Sequence, residues 1–396
     1  MLTYEEALKN VLQSVNTLPP VELPLLEAAG LVLAAPAVAR WDMPRSNNSA
    51  MDGYAVASQS TARSAKLEII GEAYAGHPFS GTLAADQAIR ITTGAPLPKG
   101  AVAVIPLEEA DEQDNYLVPR TVAETGQHIR CQGEEFRNGE ALLNEGTLLR
   151  FSEIALLVSA GVERVSVFPR PKVAIISTGD ELVPFGQEPQ YGQIVNSNLH
   201  LLTARLKELN CDPVSMGIGR DEPALLDSLF ATAQDADLII STGGVSVGAK
   251  DHVMNVLENR GFQKIFWKVA IKPGKPVLFG LLGGKPLFGL PGNPAATAAT
   301  FELFVRPALC RLAGLPNFIP RKRQGQLTAS VKGASDRQAF LWCHIEWQDE
   351  HYVIHVPERQ GSGQIRCLRN VNALLPVPAG VNTLAAGELA DVILIA

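Results

Sequence analysis

The stretch from about residue 170 to 315 constrains the fold most, because short apolar runs alternate there with segments of helical length. VAIIST (173–178) precedes NLHLLTARLKEL, VSMGIG (214–219) precedes PALLDSLFATA, and LIIST (238–242) precedes DHVMNVLEN. IFWKVAI (265–271), VLFGL and PLFGL then lead into a long helix through FELFVRPAL. Strands that are apolar at nearly every position are covered on both faces, and the helices between them supply the covers. The pattern predicts a doubly wound parallel α/β sheet over 170–315.

The rest of the chain reads differently. Residues 1–38 carry a helical pattern opened by Thr3 and Glu6 at capping-box spacing, then the Pro-rich LPPVELP. From 39 to 139, short β-rich runs such as AVAVIP (101–106), separated by Gly, Pro and Asp, predict an inserted β domain. SEIALLVSAG (152–161) reads as a partner for the first helix, so that 1–38 and 140–169 make one helical and linker domain. After GLPNFIPRKR, residues 322–396 return to short alternating strands, a small C-terminal β-barrel, with a sandwich as the alternative. The expected architecture is a multidomain α/β and β chain.

With 396 residues, two to four domains are expected. A formal net charge of -7 argues against a nucleic-acid partner, and the one basic cluster, Arg321-Lys322-Arg323, reads as a linker. No uncharged apolar run reaches the ~18 residues of a membrane span without Pro or Gly. Glu5 and Glu6 stand where a secretory signal needs positive charge, and the five cysteines form no CxxC, so a cytoplasmic address is expected.

In an open parallel α/β sheet, ligands bind beyond the carboxyl ends of the strands. Thr178-Gly179-Asp180-Glu181, Gly219-Arg220-Asp221, Thr242 to Gly248 with Asp251, Lys272-Pro273-Gly274-Lys275 and Gly289 to Pro294 all fall on that rim. Any one of these turns alone reads as a tight strand exit and helix cap. Five on one rim read as a ligand site.

GGVSVG almost spells a P-loop, but the lysine comes one place late at Lys250 and Asp251 stands where Ser or Thr is needed. Its physical reading is an anion cradle, with Gly243, Gly244 and Gly248 admitting backbone N–H groups and Ser246 donating a hydroxyl. Lys272 and Lys275 offset anionic charge. Asp180, Glu181, Asp221 and Asp251 would repel an anion unless a cation lay between, which points to Mg²⁺; the alternative for each is a helix cap, and Asp221 before Glu222-Pro223 fits that well. His77, His128, His200 and His252 are isolated in sequence and support no catalytic triad. In the β domain, Asn48 to Val56 centres a tight turn on Asp52-Gly53, and ITTGAPLP (91–98) offers Thr93 from a second turn.

NSAMDGYAV, TTGAPLP, STGDEL, GQIVNSN, STGGVSVGAKD, AIKPGKP and GLPGNP, in this order, resemble the molybdopterin molybdenumtransferase family, the MoeA and gephyrin E-domain family, along essentially the whole chain. The resemblance implies insertion of molybdenum from molybdate into adenylylated molybdopterin, Mg²⁺ dependence and AMP release. It implies a homodimer whose cleft is shared between subunits, and as partners a molybdopterin adenylyltransferase and proteins of molybdoenzyme maturation. By the same likeness, catalytic roles fall to Asp52, Thr93, Glu181, Asp221, Asp251, Lys268 and Lys272, with Glu181, Asp221 and Asp251 on the metal side. Substrate binding falls to Gly243, Gly244, Ser246, Gly248, Lys275, Pro291, Gly292, Asn293 and Ser362. Glu135 stands for the acid of the family's RGED turn. One position departs. The arginine expected shortly after an Arg-x-x-Phe turn is Trp342 in RQAFLW, so Arg337, Arg366 or Arg369 takes its place, or molybdate is held weakly. Weaker rival readings are a P-loop kinase, a pyridine-nucleotide deamidase sharing the α/β domain, and a scaffolding paralogue without activity.

Overall fold

Thr3 opens the first helix as its spacing predicts: its hydroxyl accepts the Glu6 N–H at 3.2 Å, and the Glu6 carboxylate accepts the Thr3 N–H at 2.8 Å. The helix, α1 (Tyr4–Ser14), buries the stripe Tyr4, Ala7 and Val11. Its Tyr4 ring meets Phe304 and Phe340 at centroid distances of 5.7 and 5.1 Å. These distances come from a computed structural model that describes residues 1–57, 66–220, 222–244, 252–316 and 319–395.

The chain forms two compact units, one of Met1–Val21, Gly30–Ala34 and Val167–Ala396, the other of Glu22–Ala29 and Ala35–Ser166. The apolar stripe of α1 is satisfied by phenylalanines of its own unit, whereas α2 (Phe151–Ser159) belongs to the other.

That other unit holds β1 (Gly53–Val56), β2 (Leu67–Ala73), β3 (Gln87–Ile91), β4 (Ala103–Pro106), β5 (Ala110–Gln113) and β6 (Tyr116–Pro119) in one sheet of order β4-β1-β3-β2-β6-β5. β1 is buried along its whole length. Tyr54 and Val56 enter one core cluster and Ala55 the other, so the period of two sends alternate residues to opposite faces.

In the first unit, the apolar runs become β7 (Lys172–Thr178), β8 (Asp212–Gly219), β9 (Leu238–Thr242), β10 (Gln263–Trp267), β11 (Leu278–Leu282) and β12 (Lys285–Leu290), in order β8-β7-β9-β12-β11-β10. Pairs β8-β7, β7-β9 and β9-β12 are parallel, as expected. The pairs β12-β11 and β11-β10 are antiparallel, which the alternation of strands and helices did not reveal. The cause is the two-residue turn Gly283-Gly284, with φ of 56° and 80°, which closes β11 and β12 into a hairpin. Helices α3 (Ser197–Glu208), α4 (Pro223–Ala233) and α5 (His252–Asn259) supply the covers. The expected long helix is α6 (Pro294–Thr300), a π-helical turn over Phe301–Val305, and α7 (Arg306–Leu312).

The C-terminal strands β13 (Lys322–Leu327), β14 (Gln338–Gln348), β15 (His351–His355), β16 (Ala373–Val377) and β17 (Leu389–Leu394) close on themselves as β14-β15-β13-β17-β16-β14, a five-stranded barrel. The basic cluster is not a linker: Lys322 and Arg323 open β13, and the Arg323 guanidinium lies 5.0 Å from the Tyr352 ring centre. The two-residue strand Ile271–Lys272 pairs in parallel with Gln338 and Ala339 of β14, which sets Lys272 beside the barrel.

Candidate active site

Two cavities lie along the carboxyl rim of the α/β sheet. The first, of about 570 Å³, is lined by Thr178, Glu181, Thr242, Gly243, Gly244, Asn196, Asn198 and the Pro291 to Pro294 turn. The second, of about 1160 Å³, is lined by Lys272, Lys275, Arg337 and Ser362 among others. Pro276, Pro291 and Asn293 line both, so the two chambers share a wall.

Backbone geometry explains the rim of the first chamber. Gly243 and Gly244 have φ of 82° and 62°, and a Cβ on Gly243 would lie 2.4 Å from the Thr178 carbonyl oxygen. No other residue fits both the left-handed conformation and the approach. The Gly243 N–H donates to the Leu290 carbonyl at 3.1 Å, so this amide stitches β9 to β12 and leaves the expected anion cradle one donor short. The Thr178 hydroxyl donates to the Thr242 carbonyl at 3.2 Å and ties the ends of β7 and β9. Glu181 is exposed and lines the chamber, with its carboxylate folded over Gly179, where a Cβ would lie 2.5 Å from Oε2.

The shared wall is built by cross-ties. Asn198 Nδ2 donates to the Gly292 carbonyl at 2.7 Å, and the Thr297 hydroxyl donates to the Pro291 carbonyl at 2.6 Å. Asn293 Nδ2 donates to Ser362 Oγ at 3.2 Å, while the Ala295 N–H donates to the Ser362 carbonyl at 3.0 Å. Ser362 and the GLPGNP turn, 69 residues apart in sequence, thus form one surface. Reading strand ends did not single out Asn196 and Asn198. They reach the chamber from the start of α3, where Asn196 caps the helix by accepting the Leu199 N–H at 3.3 Å. The signal available was the Asn-Ser-Asn ahead of an apolar helix.

The second chamber is cationic. Among the described residues, Lys272, Lys275, Lys332 and Arg337 face it against one carboxylate, Glu358, and Arg337 is paired to Asp336 at 2.9 Å. Gly274 gives the Lys272–Lys275 turn its close approach to α6, since a Cβ there would lie 2.3 Å from Thr300. Trp342 is 3% exposed and packs in the core that holds Tyr4 and Phe340, and it lines neither chamber. Of the three arginines offered as substitutes for the missing one, Arg337 lines this chamber; Arg369 lines a shallow groove elsewhere on the barrel, and Arg366 lines neither. Lys268 lines neither chamber; a φ of 70° turns it out of line with β10. Asp221, Ser246, Gly248 and Asp251 lie outside the described residues.

In the other unit, Asp52 and Thr93 come together although 41 residues separate them: Asp52 Oδ1 accepts the Thr93 N–H at 2.6 Å and the Thr93 hydroxyl at 3.0 Å. The amide first, then the hydroxyl, holds the Asp52 carboxyl below the usual carboxylate range. Gly53 is required beside it, because a Cβ would lie 2.0 Å from the Ile105 carbonyl oxygen.

Comparison with known proteins fits this arrangement. Three family models match in chain order: "MoeA N-terminal region (domain I and II)" over residues 2–161, "Probable molybdopterin binding domain" over 174–311, and "MoeA C-terminal region (domain IV)" over 324–395. A molybdopterin molybdenumtransferase from a Nostoc species is 36% identical, covering 92% of this chain and 86% of that one. The chain belongs to the molybdopterin molybdenumtransferase family. It is a transferase of molybdenum cofactor biosynthesis. A second relative, molybdopterin molybdenumtransferase 2 of Mycobacterium tuberculosis, is 34% identical over 98% of both chains. Among solved structures, a molybdopterin biosynthesis MoeA protein from Pyrococcus horikoshii is 31% identical, with a TM-score of 0.86 and coverage of 100% of this chain and 99% of that one.

Proposed function

We propose that the chain inserts molybdenum from molybdate into adenylylated molybdopterin, with Mg²⁺ dependence and release of AMP. The observation that supports this reading best is the shared wall of Pro276, Pro291 and Asn293 between a chamber carrying Glu181 and a chamber carrying Lys272, Lys275, Arg337 and Ser362. A substrate that joins a phosphoanhydride to a metal-accepting dithiolene needs two adjoining surfaces, one for phosphates and one for a tetrahedral oxyanion.

In this reading Gly244, Gly248 and Ser246 hold the phosphate side, and Gly243 shapes the turn. Pro291, Gly292 and Asn293 form the partition, while Lys272, Lys275, Ser362 and Arg337 hold molybdate and Lys268, on the same rim, is a further anion-binding lysine. These groups bind and orient; none is assigned a covalent bond to substrate. A water oxygen bonds to the adenylyl phosphorus as the bond from that phosphorus to the bridging oxygen breaks, so AMP leaves with the phosphorus and the new oxygen and molybdopterin keeps its own phosphate. The two dithiolene thiols displace one oxygen of molybdate, which leaves as water with their protons. Mg²⁺ would offset the charge of the phosphoanhydride. Among the described residues no three His, Cys, Asp or Glu side chains converge on one point. Mg²⁺ takes oxygen ligands and completes its shell with substrate phosphates and water. Glu181, with Asp221 and Asp251, is proposed to hold it.

The four-domain division at 1–38 with 140–169, 39–139, 170–315 and 322–396 is kept as part of this proposal. So are a cytoplasmic address, a homodimer in which Asp52 and Thr93 serve the cleft of a second copy, and partnership with an adenylyltransferase and maturation proteins. No helix among the described residues is long and apolar enough to cross a membrane.

The test is incubation with adenylylated molybdopterin, Mg²⁺ and molybdate, following AMP and molybdenum cofactor. Both should form. Binding of the adenylate without AMP release would favour a scaffolding role, and full turnover by Asp221→Ala and Asp251→Ala would remove those two acids from the assignment.

A further inference from the structure

Consecutive residues of an extended strand point to opposite faces, so Trp267, the last residue of β10, and Lys268, the next, should point apart. They do not. Lys268 has a φ of 70°, and its Nζ lies 4.0 Å from the centre of the Trp267 ring. A non-glycine residue in the left-handed region costs free energy and persists only where its surroundings fix it. Here the Lys268 N–H donates to the Val277 carbonyl at 3.0 Å, and the Val269 N–H to the Lys275 carbonyl at 3.0 Å. These bonds lace the root of the loop that carries Lys272 and Lys275. The half-buried Trp267 packs against the core cluster containing Val253 and Leu257 of α5.

Direction completes the picture. β10 is antiparallel to β11 and β11 to β12, so β10 ends on the same rim as the parallel strands. An ammonium resting on a ring face keeps N–H donors free on its outer side.

We propose that Trp267 is a positioning residue for Lys268. Its indole face holds the ammonium at the root of the 268–277 loop, so that an oxyanion of the substrate meets a cation whose rotamers are already restricted. This rests on reading Lys268 as an anion-binding lysine of the transferase reaction.

The test compares the full-length chain with Trp267→Leu, Trp267→Phe and Lys268→Met. In substrate-free protein, competitive acylation of lysine amines, read peptide by peptide by mass spectrometry, reports how far the indole shields Lys268. Relative to Lys272 and Lys275, acylation of Lys268 should rise about two- to fivefold in Trp267→Leu. It should stay near the unmodified value in Trp267→Phe, which keeps a ring face. In AMP release, KM should rise by a similar factor in Trp267→Leu with kcat changed less. Unchanged Lys268 acylation in Trp267→Leu overturns the proposal, and so does equal damage from Phe and Leu, which would mark Trp267 as packing alone. Full AMP release by Lys268→Met would instead remove the role of Lys268, while the acylation ratio still decides whether Trp267 holds it.

Discussion

The Asn293 side-chain amide donates to the Ser362 hydroxyl at 3.2 Å, and this contact joins the strand-end turn of the α/β sheet to the loop that precedes the last barrel strands. It stands on the wall common to both chambers.

Removing either partner should act on binding more than on folding. A single neutral hydrogen bond contributes about 1 kcal/mol. Ser362→Ala should therefore lower the denaturation midpoint little. The apparent affinity for molybdate should fall about fivefold or more, since both the hydroxyl and the placement of Asn293 change. Molybdate titration of AMP release in Ser362→Ala and Asn293→Ala checks this, and unchanged affinity in both would remove the wall from the oxyanion site.

Thr93→Ala should shift the Asp52 carboxyl upward without returning it fully to its ordinary value of 3.8, because the larger influence, the Thr93 amide, remains. The sign follows from a depressed native pKa. The stabilisation is present above the unfolded value and lost as the pH falls through the lower native one. A carboxyl-resolved NMR titration should show the Asp52 midpoint higher in Thr93→Ala than in the unmodified chain. Identical midpoints would deny the hydroxyl its part.

Glu302 is a structural test. Its side chain is 6% exposed and accepts from Arg205 at 2.7 Å and Arg306 at 3.2 Å, and Arg306 also donates to the Leu394 carbonyl at 3.0 Å. Taking one member from a buried ion network strands the others. Glu302→Gln removes the carboxylate shared by two guanidinium groups, each about a fifth exposed, leaving Arg205 its pair with Glu208 at 2.8 Å, and should cost about 3 kcal/mol in urea or guanidinium unfolding.

Thiol reactivity offers a fourth check. Burial pushes the Cys211 and Cys343 thiols up to about 12 and raises Cys310 and Cys367 as well, whereas Cys131 is exposed. The thiolate is the reactive form, so at pH 8 a disulfide reagent should titrate about one thiol in the native chain. All five cysteines should react after denaturation. Rapid reaction of two or more native thiols would contradict the burial.

Much of this protein was legible before any fold was known. The capping box at Thr3 and Glu6, the buried strands around Val173 and Leu238, and the β domain around Tyr54 follow from local rules of spacing and period. The turns at Glu181, Gly243, Lys272 and Asn293 were found because strand ends in an open α/β sheet share one rim. Other features had no local cause. Arg337 reaches the cationic chamber because β14 pairs with the Ile271–Lys272 strand, and Trp342 stays out of it because its side chain is taken into the core with Tyr4. Ser362 meets Asn293, and Asp52 meets Thr93, across 69 and 41 residues of chain. Lys268 returns over Trp267 through one left-handed residue that strand periodicity does not encode. Sequence by itself determined which segments become strands, helices and turns, since those depend on near neighbours. Which side chains share a chamber was decided by tertiary structure alone, because long-range strand pairing and core packing set those distances.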